Sequence, residues 1–326
     1  MYIFNSHSEF FRHPQGGIKT NETITFKILV NRKSFGPQLL IEKRHDYDRI
    51  CYDKIKMEWI SREKNYDIYR AETLIKEYGH YYYSFIFDDM KSPDYELLVY
   101  DEDYITPDWA KGGIIYHIFV DRFFRRKILS KKGAIIRKWG QTPYYLPDEK
   151  GRVLNNDFFG GNLDGIAEKL DYIASLGVNI IYLSPIFEAY SNHKYDTGDY
   201  HKIDPMFGTE ASLKKLIRKA KKHGISIILD GVFSHTGDDS IYFNKYGRYD
   251  SSGAYQSKDS PYYEWYTFNN WNEDYLSWWG IKTLPQINKN NPSYVDFITG
   301  KKGVLSHWQK TGIRGWRLDV VDEFPD

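Results

Sequence analysis

The chain has 326 residues, 41% of them hydrophobic and 27% charged, which leaves room for two domains with cores of their own. A formal net charge of +1 gives no global attraction to nucleic acid or to an anionic membrane, and no apolar run approaches membrane-spanning length. The single cysteine, Cys51, excludes an internal disulfide framework, and MYIFNSHSEF at the N-terminus has no signal-like basic and apolar regions; both fit a cytoplasmic protein.

Residues 1–104 read as all-β. Alternating or β-rich runs recur at Thr23–Val30, Gln38–Arg44, Ile55–Ile60, Tyr66–Leu74, His80–Asp88 and Tyr95–Tyr100, separated by turn signals such as Asn31-Arg-Lys-Ser34. A β-sandwich is the natural closure. From about residue 105 the pattern changes to alternating strands and helices. Ile114–Val120 is a nearly continuous apolar strand that ends at Asp121-Arg122. The basic segment Arg125–Lys138 lies in a connection and reads as a solvated loop. Asn162–Leu176 is a helix with Leu163, Ile166, Leu170 and Ile173 on one face, capped by Asn162 and stopped by Gly177. Val178–Ser184 is the second strand, Thr209–His223 the second helix and Ile225–Val232 the third strand. Pro292–Thr311 is helical with interruptions at Gly300 and Gly303, and Ile313–Asp319 is the fourth strand. Such an order argues a parallel sheet, with polar residues gathered past the strand ends as at the catalytic end of a (β/α)8 barrel.

Those strand ends carry the chemistry. Arg317 and Asp319 are two apart, so both leave the fourth strand from one face, and a neighbouring cation favours the ionised carboxylate that a nucleophile requires. Asp230, ending the third strand, needs a partner, and Arg317 is available; His235 stands just beyond it, at the mouth, able to donate to a polyhydroxyl ligand. The polar loop Ser191–Thr209 is too long for a simple turn, and its Tyr195 can stack on a pyranose ring. An insertion of about 237–291 is crowded with aromatic rings, which divide between a small core of their own and sugar stacking.

These blocks resemble the α-amylase family of glycoside hydrolases, in its neopullulanase, cyclomaltodextrinase and amylopullulanase-like branch. Gly315–Asp319 matches the Gly-aromatic-Arg-x-Asp motif, Asp230–His235 resembles the motif ending Asn-His with Ser234 in place of Asn, and Leu284-Pro-Gln-Ile-Asn288 resembles a short block of this branch. The resemblance runs from about residue 106 to the end. It implies that Asp319 is the nucleophile of retaining hydrolysis and Arg317 its electrostatic partner. It further implies that Asp230 anchors Arg317, that Tyr195 and His235 contact the sugar, and that Asn288 and Glu323 belong to the substrate site. The expected substrate is an α-glucan or maltooligosaccharide.

Two departures shape the expectation. Ser234, and Phe124-Arg-Arg-Lys127 where acidic ligands belong, disfavour the calcium sites of this branch; Asn162 and Asp164 alone do not complete a cage, so no cofactor is expected. The family's acid/base Glu comes from a fifth strand, whereas these 326 residues end just after a fourth. The expected architecture is therefore the N-terminal half of a (β/α)8 barrel, with a loop subdomain inserted after strand three and a β-sandwich before it. Such a chain alone is expected to be inactive, and either to self-associate or to combine with a missing C-terminal half. The competing reading is a vestigial, non-catalytic carbohydrate-binding protein.

Overall fold

The computed structural model describes residues 2–31, 36–45, 48–87, 90–149, 151 and 153–325. The expected turn at Arg32–Ser34, the strand end at Asp88 and the terminal Asp326 lie outside the described residues. The chain divides into two compact units, with the boundary between Thr106 and Pro107.

The first unit is two sheets face to face. One runs Tyr2–Ile3, Thr23–Asn31, Tyr66–Leu74, Glu58–Glu63, and the other Ile18–Lys19, Tyr95–Tyr100, Gly79–Phe87, Gln38–His45, Asp48–Lys56. Alternation decides what each sheet buries: Ile24, Phe26, Ile28 and Val30 from one face Leu39, Ile41, Tyr83 and Phe85 from the other. The expected strand Ile55–Ile60 is corrected. It spans the end of one strand and the start of another, and the two belong to different sheets. Met57 is the switch, 3% exposed, with its N–H donated to the Pro37 carbonyl at 3.0 Å. Both neighbours are edge strands, largely exposed and rich in charge, so no clean alternation marks them in the sequence.

The second unit holds four parallel strands in chain order: Ile115–Ile118, Ile180–Leu183, Ser226–Gly231 and Gly315–Leu318. Ile118, Ile181, Leu183, Ile227 and Leu229 are buried in the core that also takes the apolar faces of the helices. Thr209 caps Glu210–Lys222 by accepting from the Ser212 N–H, and Leu213, Leu216 and Ala220 face inward. The expected helix Asn162–Leu176 is two, Leu163–Glu168 and Leu170–Ser175. At Lys169 the backbone tightens, its N–H reaching the Ile166 carbonyl three residues back. Gly165 lets the first of these helices pack closely, since a Cβ there would stand 2.0 Å from the Phe124 carbonyl oxygen.

Arg125–Lys138 is largely exposed, as its charge suggests, but it is tethered at several points. Ile135–Ile136 pairs with Asp157–Phe158, Arg137 reaches Asp157 at 3.4 Å, and Lys131 reaches Asp204 at 2.9 Å. The inserted segment buries Tyr242, Phe243, Trp265, Tyr266 and Tyr275 in the same core as the strands and helices, rather than in a small core of its own.

Candidate active site

Register sets the site. Asp230 on the third strand pairs with Arg317 on the fourth, and the face they share also carries Asp319 and, from the second strand, Tyr182. Arg317 Nη1 donates to Asp230 Oδ1 at 3.0 Å and to Asp319 Oδ1 at 2.7 Å, so one guanidinium nitrogen joins two carboxylates. Asp230 is 2% exposed and Asp319 9%. The Tyr182 hydroxyl donates to Asp230 Oδ2, and the Tyr195 hydroxyl reaches the same oxygen at 3.2 Å. Burial raises the Asp230 carboxyl above its usual range, against the opposing pull of Tyr182 and Arg317. Burial alone would lower the Arg317 guanidinium, but its hydrogen bond to Asp230 and the nearby charges raise it. The residue after Asp319, Val320, has left-handed backbone (φ 44°, ψ 47°), an outlying conformation for a β-branched side chain.

The sequence places His235 at the mouth with a free donor; this is corrected. His235 is 1% exposed and both ring nitrogens are engaged. Nε2 lies 3.1 Å from the Tyr195 carbonyl, which can only accept, so Nε2 carries the proton; Nδ1, 2.9 Å from Ser234 Oγ, accepts from that hydroxyl. Burial lowers the His235 pKa, keeping the ring neutral. Ser234 thus orients His235, and His235 holds the backbone of Tyr195, the residue whose hydroxyl meets Asp230.

The remaining candidates stand apart from this group. Asn288 is exposed; its N–H goes to the Trp265 carbonyl at 2.7 Å and its Oδ1 accepts from Asn290 in a turn. Its neighbour Gln286 bridges to His235, which brings the segment, though not the Asn288 side chain, to the site. Glu323 Oε1 accepts from the indole N–H groups of Trp278 and Trp279, each at 3.1 Å. Sequence reasoning missed Tyr182 and Lys194. Tyr182 could have been found by counting in twos along the second strand. Lys194 is fully buried, its ammonium 2.8 Å from Asp204 and from the Ser191 carbonyl, and no pattern in a polar loop marks one lysine as the buried one.

At the two positions where the resemblance places calcium in this branch, the side-chain donors are already engaged within the chain. Asn162 Oδ1 accepts from the Gly165 N–H, while its Nδ2 donates to the carbonyls of Lys127 and Gly160 at 3.0 and 3.3 Å. Asp164 pairs with Lys215, and Ser234 is committed to His235. Among the described residues no group of three or more His, Cys, Asp or Glu side chains could hold a metal. Nor is any helix among them long and apolar enough to cross a membrane.

The alpha-amylase catalytic-domain family matches residues 117–326 of this chain. The chain belongs to the α-amylase family. Its relatives in that family include the amylopullulanase of Thermoanaerobacterium saccharolyticum, 38% identical over 98% of this chain, and the intracellular maltogenic amylase of Bacillus subtilis, 36% identical over 78%. The chain spans 29% and 39% of the lengths of these two α-amylase-family relatives. Among solved structures, the type III pullulan hydrolase from Thermococcus kodakarensis matches all of this chain with 57% of its own, at a TM-score of 0.60 and 26% identity. The architecture is the α-amylase family fold, a barrel domain preceded by a sheet domain.

Proposed function

We propose that this chain supplies the nucleophile side of a retaining glycoside hydrolase that acts on maltooligosaccharides or pullulan-type α-glucans. The observation that carries this is the single Arg317 nitrogen shared by Asp230 and Asp319. Asp230 spends its lone pairs on Arg317, Tyr182 and Tyr195, which leaves it an anchor. Asp319 has one oxygen on Arg317 and stands at the strand end, before a strained Val320. In the proposed reaction an Asp319 oxygen attacks the anomeric carbon as the glycosidic bond breaks, giving a covalent glycosyl-enzyme that water then hydrolyses. Tyr195 forms the floor of the sugar site, with His235 positioning it from behind.

That reaction requires a second carboxyl as acid and base. Asp230 cannot serve while Arg317 and two tyrosines hold it as an acceptor. We propose that the acid is a carboxyl outside the Asp230–Arg317–Asp319 cluster. The setting is proposed to be cytoplasmic and calcium-free, since the Asn162 amide already donates to the loop carbonyls of Lys127 and Gly160.

Calorimetric titration with maltotetraose, together with assays on maltotriose and pullulan, tests this reading. The expected result is saturable binding, with any turnover abolished in Asp319→Asn. Absence of binding at tens of millimolar, or turnover that persists in Asp319→Asn, contradicts it.

A further inference from the structure

Among the described residues, Asn21, Asn155, Asn244 and Asn272 adopt left-handed backbone, as Asn readily does. Trp279 does so as well, at φ 50° and ψ 30°, where a large ring is disfavoured. It is also 82% exposed. A strained backbone that presents a large apolar ring to water opposes both local preference and the hydrophobic effect, and such combinations persist where the ring is used.

Four contacts within the chain show how the ring is held. Glu323 Oε1 accepts from the Trp279 and Trp278 indole N–H groups, fixing both polar edges. Trp279 lies 5.5 Å from Trp278 between ring centres, at 31°, and Trp278 lies 5.2 Å from His235, at 33°. The three rings therefore form a staircase outward from His235, which itself holds Tyr195. Glu323 lies just past Asp319, so the strand end that carries the nucleophile also holds the outermost ring.

We propose that Trp279 is a stacking platform for an α-glucan chain, receiving a glucosyl unit beyond those over Tyr195. This rests on the α-glucan reading given above and adds a chain-length preference to it. Flat apolar ring faces suit the axial-hydrogen faces of pyranose rings, while the pinned N–H keeps the indole from swinging into the apolar core.

The test is calorimetric titration of maltose and maltohexaose into the 326-residue chain and into Trp279→Ala, Trp279→Phe and Trp279→Gly, with the melting temperature of each. Trp279→Ala and Trp279→Gly are expected to weaken maltohexaose about tenfold, the scale of one lost aromatic contact, and to leave maltose within about twofold. Trp279→Phe keeps most of the affinity. Trp279→Gly melts no lower than the parent, because glycine accepts the left-handed backbone. Unchanged maltohexaose affinity in Trp279→Ala overturns the inference and leaves the α-glucan reading intact. A clear drop in melting temperature for Trp279→Gly also overturns it, since the ring is then a packing element. Failure of the parent chain to bind either sugar overturns both.

Discussion

Replacing Arg317 by methionine removes the guanidinium that joins Asp230 to Asp319 while keeping the aliphatic stem. Breaking a buried ion pair by deleting one partner costs about 3–5 kcal/mol. The Arg317 side chain is 40% exposed, so water can replace part of what is lost, and the expected cost is nearer 2–3 kcal/mol. For a unit of this size that corresponds to a fall in Tm of roughly 4–12 °C at pH 7. The sign of the pH dependence follows from Asp230. Its carboxyl is already raised by burial and rises further without Arg317. A carboxyl raised on folding contributes stability that is full when it is protonated and is lost as pH rises through its folded value. The Arg317→Met deficit should therefore be small near pH 4 and full at pH 7. In an Asp230→Asn background the same substitution should cost less, because only Asp319 then loses its cation. Thermal melts of the four proteins across pH 4–8 decide it. A deficit that is independent of pH and equal in both backgrounds would mean that Arg317 acts through packing alone.

Three other outcomes are expected. Adding EDTA, or calcium after EDTA, should leave Tm unchanged, and a reversible drop of several degrees would refute the reading of Asn162 as a metal-free tie. Asn162→Ala should cost about 1–2 kcal/mol in denaturant unfolding, since one cap and two carbonyl contacts are lost together. Burial pulls Lys194 down to about 8 from its ordinary 10.5, so between these values the unfolded state binds the extra proton and this group's contribution to stability rises with pH. The stability deficit of Lys194→Met should accordingly widen from pH 8 to pH 10, and a deficit that narrows instead would contradict the buried, depressed ammonium.

What the sequence made legible was whatever obeys a local period. The spacing of Arg317 and Asp319 fixes their common face, and Asp230 follows from the next strand in the same parity. Asn162 and the break at Gly300–Gly303 follow from cap chemistry. Legibility failed where a tertiary partner decides. Lys169 splits a helix whose apolar spacing reads straight through it. Met57 moves the chain from one sheet to the other without a proline or glycine to mark the bend. His235 reads as a free donor until the Tyr195 carbonyl is found against its ring. Lys131, one of seven cations in a loop, looks solvated until Asp204 arrives from a segment 73 residues further along. In each case the deciding group is distant in sequence.

Asp319 as nucleophile is the central claim, and a substrate that needs no acid examines it directly. In α-maltosyl fluoride the departing fluoride requires little protonation, so attack by Asp319 can proceed without the second carboxyl. The first step is thereby sped relative to the later attack by water, so the glycosyl-enzyme accumulates. Incubating the 326-residue chain with this compound, followed by intact-mass and peptide mass spectrometry, should show one maltosyl group accumulating on the peptide containing Asp319. Asp319→Asn should show none. A maltosyl group on another residue, or equal labelling of Asp319→Asn, would contradict the assignment.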